Sequence, residues 1–312
     1  MDKFNYSIII PHYNIPNLLI RCIKSIPCRD DVQVIIVDDN SLDSDKYVEL
    51  YPELLRKNVE FYKTPQGGSA GRARNIGIDK AKGKWLIFAD ADDLFSDNVS
   101  LLLDKYVDST EELLFFKFKS VYSEDINKIS NRDGIIRKQM FEQEYSEVFL
   151  RCKVPLVWSR FFKREFVERN HFRFDETRWS NDYFFSVCCG CAAKKIRVVD
   201  EVLYIVTERT GSLVSKFCET EEEMRCRADV SFRVQKVLNA STYVIPKLAV
   251  SINLLLILQK HPQLFSEYMD KLKTINISKL RVVREMCSYC GRRGKVTLLF
   301  RIMYFTLKRF LL

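Results

Sequence analysis

Histidine is scarce. The 312 residues hold three, His12, His171 and His261, and they stand far apart. A structural zinc site normally takes four nitrogen or sulfur ligands. Cys188, Cys189 and Cys191 cluster on an expected helix, and Cys287 and Cys290 form one C-x-x-C, but neither group has a second half. Zinc is therefore not expected. No run of about 18 consecutive apolar residues is present, which argues against a transmembrane helix. The strand-like run Tyr6–Ile10 begins almost at the N-terminus, so no secretory signal is expected. The ten cysteines then read as reduced cytosolic thiols. Glycine is missing where cofactor loops need it. A dinucleotide fingerprint G-x-G-x-x-G follows a first strand, whereas Gly67-Gly68-Ser69-Ala70-Gly71 follows the third. Gly83-Lys84 runs into Trp85 without a correctly spaced upstream glycine, so a P-loop is absent too.

What is present is an ordinary globular composition, 47% hydrophobic and 29% charged. The formal net charge of +9 suits a nucleic acid, an anionic small substrate or an anionic membrane surface. A nucleic-acid face needs basic residues interleaved with aromatics, and only the C-terminal segment has them. A nucleic-acid partner is accordingly not expected.

The first hundred residues alternate short apolar runs with helical patterns, the mark of an α/β sheet. Strands are expected at Tyr6–Ile10, Val32–Val37, Val59–Tyr62 and Trp85–Ala89, and the Val/Ile run of the second implies a mostly parallel, doubly covered sheet. Helices are expected at Asn14–Ile26, capped by Asn14, at about Asp43 to Arg56, and at Ser69–Lys82. Further on, Leu113–Phe118 reads as a strand and Ser120–Lys138 as a polar hairpin or excursion. Arg160–Arg169 and Asp182–Ala193 read as helices, with closing strands at Arg197–Val199 and Leu203–Val206. From about Glu219 the pattern is helical throughout, which sets a boundary near residue 218.

In open α/β sheets, ligands bind beyond the carboxyl ends of the strands. The distinctive residues fall there: Pro11-His12-Tyr13-Asn14 after strand one, Asp38-Asp39-Asn40-Ser41 after strand two, Asp90-Ala91-Asp92-Asp93 after strand four. So many carboxylates in one place repel one another unless a cation joins them. Oxygen ligands with few histidines favour a hard ion, Mn²⁺ or Mg²⁺. Each piece also has a plain structural reading: Asn40 or Ser41 as a helix cap, Asp93 as a cap for a helix near Ser96, Tyr13 as core.

The strings S-I-I-I-P-H-Y-N, V-I-I-V-D-D-N-S, G-R-A-R-N-I-G-I and W-L-I-F-A-D-A-D-D together resemble family 2 glycosyltransferases with the GT-A fold. The resemblance is strong over about residues 5–100 and looser through W-S-R-F-F-K-R-E-F, N-D-Y-F-F and T-E-R-T-G-S-L. It implies a metal-dependent inverting transferase that moves a sugar from a nucleotide diphosphate, UDP by family habit, to a glycan or lipid-linked glycan. By that resemblance Tyr13 stacks on the nucleobase, Pro11 shapes the wall and Asp39 accepts from a base N–H. Asp90 lies near the ribose and Asp92 coordinates the metal. Arg74 matches the family's A-R-N, either pairing with an aspartate or reaching the nucleotide. Asn181-Asp182 stands where the family carries Glu-Asp, so Asp182 is the candidate general base, with a helix N-cap as its competing role. Arg209 lies on a Gly-Ser loop of the kind that meets a diphosphate, or is a solvated surface arginine. A catalytically impaired sugar-nucleotide binder is the alternative that the missing glutamate keeps open.

The expected organisation is a GT-A domain over 1–218, its nucleotide-sugar half about 1–110 and acceptor half about 111–218, followed by a helical region over 219–312. The last stretch, Gly291–Leu312, carries six Lys/Arg and no acid, with Leu298, Leu299, Ile302, Phe305 and Leu312 interleaved. Such a segment either lies on an anionic membrane or packs on protein. The expected setting is the cytoplasm, with peripheral contact at the inner membrane face. Sequence does not define an oligomeric state.

Overall fold

Two runs with no polar face, Tyr6–His12 (β1) and Val32–Asp38 (β2), are buried along their whole lengths and pair in parallel, Tyr6 opposite Val32 and His12 opposite Asp38. A strand buried on both sides must be uniformly apolar, which is why these segments read as runs and not as alternations. The structure, a computed structural model, describes residues 4–132, 147–209, 220–243, 248–292, 298 and 302. The chain divides into two compact units, Met1–Ser212 and Leu213–Leu312.

The first unit is built on one eight-stranded sheet. Val59–Lys63 (β3) and Trp85–Phe88 (β4) complete a parallel half in the order β3-β2-β1-β4. The other half is mixed: Leu94–Phe95 (β5), Leu113–Tyr122 (β6), Arg160–Lys163 (β7) and Ile196–Glu208 (β8), in the order β7-β6-β8-β5 beyond β4. The expected α/β class holds, with antiparallel pairs at β4–β7, β6–β7 and β5–β8. Strand order reverses between β1 and β4, so the loops leaving these neighbours diverge and open a ligand position at their C-terminal ends.

Helices cover this sheet. Pro16–Lys24 (α1) buries Leu19, Ile20, Cys22 and Ile23, and Pro16 suits the first turn, where its missing N–H costs nothing. Asn14 does not cap α1. Ile15 is the N-cap residue, while Asn14 sits at φ 53° and uses its side chain elsewhere. The helix expected over 43–56 is instead broken. Only Tyr47–Leu50 (α2) is α-helical, between 3₁₀ turns at Ser44–Lys46 and Pro52–Leu55, because Pro52 removes a donor and restricts Tyr51 to extended backbone. Ala70–Lys80 (α3) begins at Ser69, whose hydroxyl accepts from the Arg72 N–H. Val99–Tyr106 (α4), Glu147–Cys152 (α5), Arg164–Arg169 (α6) and Tyr183–Ala192 (α7) complete the unit.

Two further expectations change. Arg160–Arg169 is strand β7 followed by α6, since Arg160–Phe162 is buried between β4 and β6. The two closing strands are one, β8, whose pairing with β6 shifts register around Lys117. The polar segment after β6 turns back, with Val121 bridging Ile129; residues 133–146 lie outside the described residues. Phe174 stacks on Phe185 of α7 at 4.0 Å between ring centres, and Phe88 of β4 meets both edge-on, which seats α7 against the sheet. Buried Arg160 donates to Ser186 Oγ and to the Val154 carbonyl, while burial lowers its pKa to about 9.

The second unit has its own core. Glu221–Ala240 (α8) is capped by Thr220, which accepts from the Glu223 N–H, and is followed by Val250–Lys260 (α9), Phe265–Lys271 (α10) and Lys279–Arg292 (α11). Leu254, Leu258, Tyr268 and Met286 pack together with Leu298 and Ile302. These last two had been counted toward the apolar stripe of Gly291–Leu312; most of that segment lies outside the described residues. Among the described residues, no helix is long and apolar enough to cross a membrane.

Candidate active site

The loops leaving β1 and β2 are tied together beneath the ligand position. His12 ends β1 and Asp38 ends β2, both fully buried, with His12 Nδ1 2.8 Å from Asp38 Oδ1. Ser41 donates its hydroxyl and its N–H to the same carboxylate. Burial alone would push Asp38 upward; hydrogen bonds from His12 and Ser41 overcome it and hold the carboxyl below its usual range. The Ile15 N–H, at the start of α1, points to His12 Nε2 at 3.2 Å, so the imidazole receives there and donates to Asp38. Asn14 Oδ1 accepts from the Leu42 N–H, and the Asn14 N–H donates to Ser41 Oγ. The consequence is local. Pro11 is buried inside β1, whereas Tyr13 leaves its end 58% exposed. Tyr13 is not core.

Asp39 stands at the rim of this network. Its carboxylate accepts from the Gly68 N–H at 3.0 and 3.2 Å and from the Thr64 hydroxyl at 3.3 Å, which brings the loop after β3 over β2. A carboxylate has about four acceptor positions, so these bonds leave capacity for another donor.

The acidic turn after β4 is held from several sides. The Asp90 N–H donates to the hydroxyl of buried Tyr204 on β8, whose ring stacks on Trp158. The Asp92 carbonyl accepts from Arg21 Nη2 at 2.6 Å and from Thr207 Oγ1 at 2.7 Å. Asp93 is buried and accepts from the Thr207 N–H at 2.6 Å. Asp93 therefore anchors β8 and does not cap α4, whose N-cap residue is Asn98. Burial first, then the charges of Asp92 and Asp90, push the Asp93 carboxyl well above its usual range.

The three carboxylates thus do different work. Asp93 is turned into the protein, and Asp90 is paired with Arg74 at 2.7 Å. Asp92 is paired with Arg209, Nε to Oδ2, at 3.0 Å. Arg74 is paired with an aspartate, and its second terminal nitrogen donates to Asn181 Oδ1 at 2.8 Å. Arg74 thereby joins the end of β4 to the residue before Asp182. Gly71, one turn earlier on α3, lets this segment approach, since a Cβ there would lie 1.9 Å from the Asp175 carbonyl oxygen. Asp182 occupies the N-cap position of α7, yet its side chain makes no capping hydrogen bond.

Sequence reasoning had passed over Arg21, Thr207, Tyr204 and the His12–Asp38–Ser41 network. Arg21 reads as one more basic residue in the last turn of α1, and its partners lie 71, 102 and 186 positions away. Only the His12–Asp38–Ser41 network carried a local signal, a buried polar pair closing two adjacent apolar strands.

The donor set bears on a metal. Asp92 offers one carboxylate, and among the described residues no group of three His, Cys, Asp or Glu side chains is assembled to hold an ion. Such a site suits a hard cation that takes one or two carboxylates and completes its shell from substrate phosphates and water. It does not suit an ion caged by protein alone.

Comparison with known proteins agrees with this architecture. The family model described as "Glycosyl transferase family 2" matches residues 7–193, more than half of the chain. The uncharacterized glycosyltransferase EpsJ of Bacillus subtilis is 26% identical over 215 residues, 66% of this chain and 62% of that protein. The poly(ribitol-phosphate) β-N-acetylglucosaminyltransferase TarS of Staphylococcus aureus is 26% identical over 229 residues, 70% of this chain but 38% of that protein. The match spans less than two thirds of either relative. Among solved structures, S. aureus TarS 1–349 in complex with UDP-GlcNAc gives a TM-score of 0.64 at 17% identity, covering 95% of this chain and 89% of that one. The mannosyltransferase PcManGT from Pyrobaculum calidifontis, in complex with GDP-Man and Mn²⁺, gives 0.55 at 16% identity, covering 97% and 86%. At these identities the likeness is one of fold, and it bears out the GT-A expectation.

Proposed function

The chain belongs to glycosyl transferase family 2, and from that premise we propose that it transfers a sugar from a UDP-sugar to a hydroxyl of a glycan or polyol-phosphate polymer, with inversion at the anomeric carbon. The observation that carries this reading is the division of labour in the acidic turn: among the described residues, of Asp90, Asp92 and Asp93 only Asp92 pairs with a residue beyond β8, and the turn follows β4 as exposed Tyr13 follows neighbouring β1. The TarS complexes with UDP-GlcNAc and UDP support a uridine donor, and the polymer named for TarS supports the acceptor class.

Tyr13 stacks on the base, Pro11 walls it, and Asp39 takes a base N–H on its remaining lone pairs. Asp90 faces the ribose and is oriented by Arg74. Asp92 would hold Mn²⁺ or Mg²⁺, which when bound neutralises charge on the departing nucleoside diphosphate. Asp182 takes the proton of the acceptor hydroxyl as its oxygen bonds to the anomeric carbon and the bond to the diphosphate breaks. Arg209 offers a planar guanidinium to phosphate oxygens. The 1–218 region performs this chemistry, with 291–312 a candidate contact for anionic lipid if the acceptor is lipid-linked.

The test is nucleotide release from a panel of sugar nucleotides with Mn²⁺, on wild type and Asp92→Asn. Wild type should turn over one UDP-sugar and lose activity on chelation, and the variant should bind UDP without dependence on the cation. Cation-independent turnover by either protein would overturn the metal-dependent reading.

A further inference from the structure

Asp92 already has a cation. Its Oδ2 lies 3.0 Å from Arg209 Nε, in a pair whose side chains are 19% and 31% exposed and so only partly screened by water. Arg21 and Thr207 both hold the Asp92 carbonyl, which fixes the backbone that carries this carboxylate. The neighbouring carboxylates offer no substitute: Asp90 is taken by Arg74, and Asp93 is buried against the Thr207 N–H. A divalent ion arriving alone would have to displace a guanidinium, with the Arg21 charge close behind it, and would gain one protein carboxylate in return. That exchange is poor. An ion arriving with a diphosphate brings its own oxygen ligands, and the same phosphates give the displaced guanidinium new acceptors.

On the metal reading proposed above, we infer that Arg209 is the resident counter-ion of Asp92, competing with the divalent cation for one carboxylate and restricting metal binding to the nucleotide-bound protein. Arg209 therefore has a role before any donor is present: it keeps the acidic turn neutralised, and it makes metal and nucleotide bind cooperatively. A partly exposed pair of this kind contributes modestly, so its removal should tighten metal binding by a factor of roughly two to five.

The experiment is a Mn²⁺ titration of the full chain followed by electron paramagnetic resonance of free Mn²⁺, with and without UDP. Without UDP, Arg209→Gln should bind Mn²⁺ roughly two to five times more tightly than wild type. Arg209→Lys keeps the charge and should stay close to wild type. In the Asp92→Asn background the gain should vanish. With UDP present, wild type should bind Mn²⁺ and the advantage of Arg209→Gln should disappear. Equal affinities without UDP, an equally tight lysine variant, or a gain that survives Asp92→Asn would each overturn the inference while leaving the metal reading intact. No Mn²⁺ binding by any protein even with UDP would overturn both.

Discussion

One guanidinium nitrogen of Arg74 lies 2.7 Å from Asp90 Oδ1, and this ion pair is almost closed to solvent on the arginine side, 7% exposed. The other terminal nitrogen holds Asn181. A lysine can satisfy one of these partners but not both. Arg74→Lys should therefore cost about 1–3 kcal/mol of stability and lower kcat/KM by roughly tenfold or more, measured by denaturant titration and steady-state kinetics. A fully active lysine variant would mean that the bridge to Asn181 is dispensable.

Asp182→Asn should reduce kcat by about 100-fold or more with donor affinity nearly unchanged, because loss of a base acts on the transition state. Its side chain makes no capping hydrogen bond to α7, so loss of a helix cap is not the route by which this change acts. Normal turnover, or a collapse of stability, would remove Asp182 from the base role.

Asp93→Asn tests the buried end of the acidic turn. The Asp93 carboxyl is raised by burial and by Asp92 and Asp90, so the folded protein keeps a proton that the unfolded chain gives up. The stability this proton supports is complete below the usual carboxylate range and declines as pH rises above it. The asparagine amide oxygen still accepts from the Thr207 N–H and carries no such dependence. In metal-free protein the variant should gain on wild type as pH rises above the usual carboxylate range, read as the difference in Tm. A constant difference would show that Asp93 ionises normally.

Gly71→Ala forces a Cβ to within 1.9 Å of a backbone oxygen, whereas at Gly67 the nearest atom, the Asp39 carbonyl oxygen, would be 3.5 Å away. The first substitution should destabilise by about 1–3 kcal/mol and depress kcat by shifting the segment that carries Asn181 and Asp182. Gly67→Ala should be close to neutral in both measurements. Equal effects would mean that the approach of α3 to this segment does not set the site.

The parallel half of the fold was legible because its strands are uniformly apolar and the candidate site residues follow them immediately: Tyr13 after β1, Asp39 after β2, Asp90 and Asp92 after β4. Local pattern and tertiary position coincide there. They part company in the mixed half. The short run Arg160–Lys163 looks helical beside Arg164–Arg169, and only its place between β4 and β6 makes it a strand. Pro52 was visible in the sequence, yet the apolar spacing around it still read as a helix. Arg21, Thr207 and Tyr204 carry no local mark, since their roles arise from contacts with the acidic turn made across 71 to 115 positions.

Strand β8 both closes the sheet and holds the acidic turn, through Tyr204 on Asp90 and through Thr207 on Asp92 and Asp93. Because side chains alternate along a strand, inserting or deleting one residue between Tyr204 and Thr207, where pairing with β6 is in regular register, would turn one of these anchors to the opposite face. Such a change touches no candidate catalytic residue, yet it would unseat a hold on the acidic turn. Length variation among relatives should accordingly be excluded from this span and fall at the register shift between Val199 and Tyr204, so this strand acts as the gauge against which the donor half is set.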